Sequence, residues 1–374
     1  MIKSFIITQM LCLMFLGLTA QEAKHSHALG TSLQFPNVPG YLTLKCDFHQ
    51  HTVFSDGEVW PSIRIKEALM DNLDVISLTE HLEYQPHLGD IPHKDRNRSY
   101  QIALREAKDH DLIIVRGSEI TRSMPPGHSN AIFIEDANKL LFNDYKDAFI
   151  EANKQHAFVF WNHPYETPKN DNISFLYDAN KQLIDSNLVH GIEIVNRHTY
   201  SIEALQIAYD RNLTLMGTSD VHGLIDWDYK KGPQGHRPIT LVFSKDKSQE
   251  NIKSALFDHR TIVHYDNTLI GRDSLLIPLI NACLEVNKAF YEPKSMVLSV
   301  VLENKSSCDF ILQNLSEYSL IESTDIIEIK RNETITLHFR TKDRINKFNW
   351  LFTVLNAVNA PNSHLSMNKL ISIL

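Results

Sequence analysis

The chain has 374 residues, 43% of them hydrophobic and 22% charged, with a formal net charge of −8. That is ample apolar material for one large domain and a smaller one, and an acidic balance without basic runs excludes a non-specific nucleic-acid binder. Histidine is plentiful at 19 copies, which matters only where the copies cluster.

Lys3, an apolar run over residues 5–18, and the small residues Thr19 and Ala20 read as a cleaved signal peptide, too short and too soon followed by polar sequence to be an anchor. Cleavage near Ala20 would deliver the protein to the periplasm or the medium. Cys12 lacks the small residues of a lipoprotein cleavage site, and no other stretch is long and apolar enough to span a bilayer. Residues 21–40, with Gly30, Pro36, Pro39 and Gly40 as breakers, read as a linker in which His25 and His27 have nothing near to complete a site. Cys46, Cys283 and Cys308 then remain, an odd and scattered set that makes no disulfide framework and reads as core.

The chain is organised around residues 42–56, LTLKCDFHQHTVFSD. Alternating polarity predicts a strand with Lys45, Asp47, His49 and His51 on one face and Cys46 on the other. Two imidazoles two residues apart at a strand end can grip one metal ion from one side, and Asp56, in a Ser-Asp-Gly turn, can reach a neighbouring ion. Asp47, one step deeper, is either an acceptor that orients a ligand imidazole or a plain buried hydrogen-bond acceptor.

A helix is expected from Pro61 to about Asn72, then a strand over 74–79 ending in Glu80-His81, a helix over 100–110, and a strand over 112–115 ending in Gly117-Ser118-Glu119. A strand over 128–134 has His128 at its entrance. A long helix over 138–156 precedes a strand over 157–161 and Asn162-His163-Pro164. Next come a strand over 191–195, a helix capped by Ser201, and a strand over 213–217 running into Asp220-Val221-His222. Strands over 239–243 and 261–264 flank a helix capped by Ser248.

This alternation predicts a parallel sheet with covering helices, at roughly 230 residues the size of a β/α barrel. His49, His51, His81, Glu119, His163, Asp220 and His222 all fall at or just past the C-terminal end of a strand. In a parallel barrel those ends share one rim, where such barrels hold their chemistry. Residues 41–273 are therefore assigned to the barrel and 274–293 to a connecting helix. Residues 294–374 lose the helical pattern and predict a small antiparallel β-sandwich without a catalytic cluster.

The ordered set His49-x-His51, Ser55-Asp56-Gly57, Thr79-Glu80-His81, Gly117-Ser118-Glu119, His128, Asn162-His163-Pro164 and Asp220-Val221-His222 resembles the PHP (polymerase and histidinol phosphatase) family over residues 41 to about 270. With an export signal in front and a β-rich domain behind, the organisation is similar to secreted phosphodiesterases of the Sb-PDE type. The resemblance implies a distorted (β/α)7 barrel holding two to three divalent metal ions. His49, His51, Glu119 and Asp220 would hold one, and Glu119, His128 and His163 a second, with Glu119 bridging. Asp56, His81 and His222 would hold a third. Glu80 stands where many relatives have Asp, a change that bears on the groups behind the ligands rather than on the ligands.

Imidazole and carboxylate together suit Zn, Mn or Fe better than Mg or Ca. Such a cluster makes a bridging hydroxide available near neutral pH and needs no protein nucleophile. With no glycine-rich phosphate loop, the phosphate must be held by metals and cations, for which Arg122, Arg197 and Arg237 are candidates. His198 is a candidate to protonate the leaving group, beside the metal-holding catalytic residues Glu119 and Asp220. The expected function is hydrolysis of a small-molecule phosphodiester, with no nucleic-acid specificity evident. A phosphomonoesterase of histidinol-phosphatase type and an exported metal-binding or adhesive module are the alternatives.

Overall fold

The computed structural model describes residues 32–167, 173–229, 235–321 and 324–374. The expected signal segment 1–20 lies outside them, as do residues 21–31 of the linker. Residues 32–40 are not a free linker, because Leu33, Phe35 and Val38 are buried in the core. Their spacing lets one edge of the extended arm pack while the polar residues between face water.

The first domain is built on strands β1 (Leu42–Asp47), β2 (Val75–Leu78), β3 (Ile113–Ile120), β4 (Ser129–Ile132), β5 (Phe158–Trp161), β6 (Gly191–Asn196), β7 (Thr199–Tyr200), β8 (Thr214–Thr218), β9 (Ile239–Ser244), β10 (Thr261–Tyr265) and β11 (Thr268–Gly271). The covering helices are α1 (Pro61–Met70), α2 (Arg98–Glu106), α3 (Tyr145–Lys154), α4 (Asp178–Asp185), α5 (Ile202–Asp210), α6 (Ile225–Asp228) and α7 (Gln249–Phe257). β2 and β5 are buried throughout, as strands covered on both faces must be. Ser201 and Ser248 cap α5 and α7 through their side chains, as their positions predict.

The sheet is mixed rather than parallel throughout. β1, β2 and β3 run parallel, as do β5, β6 and β8. β4 is antiparallel to both its neighbours, and β9 is antiparallel to β1. Residues 121–128 between β3 and β4 are fewer than the dozen or so that a crossover needs, so the chain reverses instead. That reversal carries the N-terminal end of β4, and with it His128, to the rim where β3 and β5 end. The expected helix over 138–156 is likewise two pieces, a 3-10 turn at Ala137–Leu140 and then α3. Asp136 and Asp144 each accept a backbone N–H bond from two residues on, so each starts a helix of its own.

β8 meets β9 and β10 through side chains. Thr240 Oγ1 accepts from Gly217 N at 3.0 Å and donates to Gly217 O at 2.9 Å, while Thr261 Oγ1 donates to Leu215 O at 2.9 Å. The approach is close enough that a Cβ on Gly217 would stand 2.3 Å from Val263 Cγ1.

The connecting helix α8 (Asp273–Cys283) ends ten residues before the expected 293, because Leu284 onward pairs as a strand. The second domain holds β12 (Leu284–Tyr291), β13 (Val297–Asn304), β14 (Phe310–Asn314), β15 (Ser319–Leu320), β16 (Ile326–Ile329), β17 (Thr334–Arg340), β18 (Lys347–Ala360) and β19 (Ser363–Ser372). One of its sheets has the order β12-β13-β17-β15; the other contains β16, β14, β18 and β19. In β19 the buried positions are Leu365, Met367 and Ile371. β18 pairs in parallel with β11, Leu269 opposite Ala357 and Ile270 opposite Val358, so one sheet runs from the barrel into the sandwich. The core is shared too: Trp350, Phe339 and Phe348 belong to the same buried cluster as Leu241, Phe243 and Leu276.

Candidate metal centre

The rim is assembled by backbone bonds that cross between loops. After β1, His51 N donates to Val221 O at 3.0 Å and Asp220 N donates to His49 O at 2.8 Å, zipping the first loop to the one after β8. Glu119 N donates to Glu80 O at 3.0 Å and Leu82 N to Glu119 O at 2.8 Å, which sets His81 beside Glu119. Asp56 is delivered by a turn so tight that a Cβ on the next residue, Gly57, would lie 2.6 Å from the His51 carbonyl carbon. His163 (φ 25°) and Asp220 (φ 47°) both have left-handed backbones. Such strain in non-glycine residues persists where surrounding bonds enforce it, and it collects at functional sites.

All nine expected ligands converge. Their ligand atoms fall into four overlapping groups within which every atom lies within 4.8 Å of the others: His49, His51 and Asp220; His49, Glu119 and His163; His81, Glu119 and His128; and His51, Asp56, His81 and His222. The division differs from the one carried over from the family: His49 in place of His128 joins Glu119 and His163, His128 groups with His81 and Glu119, Glu119 is not in the group of His49, His51 and Asp220, and His51 joins the outermost set. His49 Nε2 lies 3.2 Å from Asp220 Oδ1, and His222 Nε2 lies 3.2 Å from Asp56 Oδ1. The side chains of His49, His51 and Glu119 are wholly buried, whereas Asp56, His222 and His128 are 23%, 25% and 28% exposed. The cluster is therefore closed below and opens to solvent along those three residues.

Burial alone would push the Glu119 carboxyl up, but the imidazoles of His81 and His49 hold it well below the usual range. Burial likewise works to lower His81, yet the Glu119 and Asp56 carboxylates raise it to about 10. His51, wholly enclosed, is lowered to about 3 by burial. Glu119 Oε2 lies 2.7 Å from His81 Nδ1, and His49 Nε2 faces His51 Nε2 at 3.1 Å. Lone pairs that converge in this way are satisfied by a divalent cation and not by a hydrogen-bond network. The residues fit a metal cluster, and the mixed nitrogen and oxygen donor set suits borderline transition metals.

A second layer holds these ligands. His49 Nδ1 lies 2.7 Å from Glu193 Oε1, His81 Nδ1 lies 2.8 Å from Thr121 Oγ1, and His163 Nδ1 lies 3.1 Å from Glu166 Oε2. Glu80 accepts from Thr52 N, Thr52 Oγ1 and Ser55 Oγ, clamping the loop that carries His51 and Asp56. Glu193 and the buried Arg64 went unread in the sequence. Glu193 had a signal, a single acid inside the apolar run Gly191-Ile192-Glu193-Ile194-Val195, where an unpaired charge would be costly. Asp47 does not touch a ligand ring: it accepts from Ser219 N and Oγ and from Arg237, the plain acceptor of the two readings offered for it.

Of the phosphate-binding candidates, Arg237 is excluded by its surroundings. It is 1% exposed and paired with Asp47 and Asp71, so it braces the barrel floor instead of meeting substrate. Arg122 is turned to Glu83 at 2.7 Å and to the carbonyls of Phe142 and Asn143. Arg197 is exposed, follows β6, and alone of the three has no ion pair among the described residues. His198 is also exposed. Its carbonyl accepts from Tyr265 Oη at 2.7 Å, its ring lies 4.8 Å from that of Tyr229, and it borders a cavity of about 310 Å³ shared with Asp228 and Asp266. It is not among the clustered ligands.

A family model described as an Ig-like domain matches residues 284–369. Among solved structures, the chain is similar to a two-domain protein of Bacteroides vulgatus described as containing a predicted PHP-like metal-dependent phosphoesterase. The two are 38% identical, with 91% of this chain and 98% of that one covered and a TM-score of 0.84. An uncharacterised protein of Methanocaldococcus jannaschii is 33% identical over 85 residues, which is 22% of this chain; the chain spans only 36% of that relative.

Proposed function

The chain belongs to the two-domain PHP-like metal-dependent phosphoesterases, and on that premise we propose that it hydrolyses phosphodiesters outside the cytoplasm. The observation that carries this reading is the run of overlapping ligand groups through Glu119, with one solvent-facing side where an ester can approach. Two to three ions of Zn, Mn or Fe would be held by His49, His51, Asp56, His81, Glu119, His128, His163, Asp220 and His222. When bound, such ions supply Lewis-acid charge to the phosphoryl oxygens and bring the pKa of a coordinated water close to neutrality.

The protein's own part is to orient the ester and handle the leaving group. In this reading Arg197 would hold a non-bridging phosphoryl oxygen, and His198 would give a proton to the departing alkoxide. The preference for a diester follows from charge. A monoester near neutral pH carries close to two negative charges and a diester one. A rim with one arginine unpaired among the described residues fits the single charge, since Arg122 and Arg237 are already engaged by acids. Export is inferred from residues 1–20, and an extracellular enzyme would meet esters from lipid head groups, nucleotides or the environment.

The test is to strip the chain with chelator, reload it with Mn or Zn, and compare bis(4-nitrophenyl) phosphate with 4-nitrophenyl phosphate. The expected kcat/KM ratio favours the diester by at least about tenfold, or roughly 1.4 kcal/mol. Equal rates would refute the diesterase reading while leaving the metal centre intact. Metal content below one equivalent after reloading would refute the centre itself. Fractionation of expressing cells checks export separately.

A further inference from the structure

Glu193 is a carboxylate in the floor of the site, 1% exposed, and four donors meet it. Its Oε1 takes His49 Nδ1 at 2.7 Å and Thr218 Oγ1 at 2.6 Å. Its Oε2 takes the His163 backbone N–H at 2.7 Å and Asn196 Nδ2 at 2.9 Å. A carboxylate offers about four acceptor positions and no donor, so this environment matches it fully. A glutamine would turn an N–H₂ toward two donors. No lysine or arginine pairs with Glu193 among the described residues; His49 is its partner in the one ion pair found. A buried acid without a permanent cation adds little to stability, since desolvation offsets the attraction. Its placement is better explained by what it holds.

What it holds are two ligands on different loops. With Nδ1 donating to Glu193, the His49 ring must present its Nε2 lone pair to the cluster, where Asp220 Oδ1 and His51 Nε2 lie 3.2 and 3.1 Å away. The other oxygen pins the backbone of His163, the residue whose φ of 25° needs enforcement. His49 and His163 share one ligand group with Glu119, and His49 belongs to the neighbouring group with His51 and Asp220. We propose that Glu193 is a positioning residue that couples these two metal positions, so that they are formed, and filled, together. The inference rests on the metal-centre reading above. Loss of the carboxylate should unseat one ring and relax one strained backbone at once, disturbing both positions although Glu193 touches neither ion.

The experiment is a titration of the chelator-stripped full chain with Co²⁺, followed by visible absorption and by calorimetry, for wild type, E193Q and E193D. Wild type should take up the two inner equivalents in one steep step. E193Q should bind about 10- to 100-fold more weakly, in the range seen when a group behind a ligand is lost, with two separated steps and an altered Co²⁺ spectrum. E193D remains an acceptor only but is one methylene shorter. It can serve His49 or His163 but not both, so it should recover the affinity of one step and leave the other weak. It also stands in should E193Q fail to fold. If either folded variant matches wild type in stoichiometry, affinity, step shape and spectrum, the proposal is overturned even where the melting temperature falls, since Glu193 would then be structural only. A wild-type chain that binds no Co²⁺ would instead remove the metal centre, and the coupling with it.

Discussion

Arg64 reaches out of α1 and donates from Nη2 to the carbonyl oxygen of His222 at 2.9 Å. The same guanidinium donates to His51 O and Val221 O and pairs with Glu67, which itself accepts from Ile225 N. One buried cation thus ties the first ligand loop to the last, far apart in sequence. Replacing it with Met takes the donor from His51 O and the cation from Glu67, while Val221 O and His222 O keep only the backbone N–H groups of His51 and Glu58. R64M should lose about 3–5 kcal/mol of stability, the usual penalty for stranding one partner of a buried pair, and should retain less metal at the His222 side. Urea unfolding with metal analysis checks both.

Arg197 and Arg237 should separate cleanly. R197A is expected to raise KM and lower kcat/KM for a diester by about 10- to 100-fold, as loss of a charged hydrogen bond of roughly 1.5–3 kcal/mol implies, while the melting temperature holds. R237M should do the reverse, lowering stability by several kcal/mol because Asp47 and Asp71 keep their burial without their cation. Kinetics and thermal melts on both variants decide. An R197A enzyme with unchanged KM would move the phosphate contact elsewhere.

Acid should weaken the fold through His190. Its Nδ1 accepts the Val159 N–H at 3.1 Å, and burial lowers its pKa to about 4. Between an ordinary pKa near 6.5 and about 4, the unfolded chain takes up a proton that the folded chain excludes. The stabilisation is therefore complete above about pH 6.5 and is lost as pH falls toward 4, amounting to about 2 kcal/mol by pH 5. Urea titrations of chelator-stripped protein at pH 7.5 and 5 should show this loss. H190N, whose Oδ1 can replace Nδ1 as acceptor, should show a flatter dependence.

The sandwich should not be removable. Deleting residues 284–374 would strip β18 from β11 and open the core that Trp350 and Phe348 share with Leu241 and Phe243. The expected product is insoluble or molten rather than a working barrel, as judged by size exclusion and near-UV circular dichroism. A monodisperse truncated chain with native spectra would show that the shared core is dispensable.

The site was far more legible in the sequence than the path of the chain around it. Metal-type residues announce themselves by kind and by position at strand ends, so His49, His51, His81, Glu119, His163, Asp220 and His222 could be gathered before any fold was known. Strand direction is not written in periodicity. β4 looks like any apolar strand, and only the shortness of the 121–128 link betrays its reversal. The arginines show the same limit: Arg122, Arg197 and Arg237 are alike in sequence, and their different roles come from Glu83, Asp47 and Asp71, acids brought to them by folding. The role of Glu193 is hidden because three of its four donors, on His49, His163 and Thr218, come from distant stretches of chain.

The hydroxyl-mediated join between β8 and β9 sets where this barrel can breathe. A ladder of backbone bonds opens only when a strand melts, but the Thr240 side chain can let go of Gly217 by turning about one bond. Openings of this kind occur far below the global unfolding free energy, and amide exchange should be faster at Gly217 than along β2, which is laddered on both sides. The seam lies directly beneath Asp220 and His222. A folded chain that parted here and closed again would take in ions after folding, and exchange at Gly217 no faster than along β2 would rule that route out.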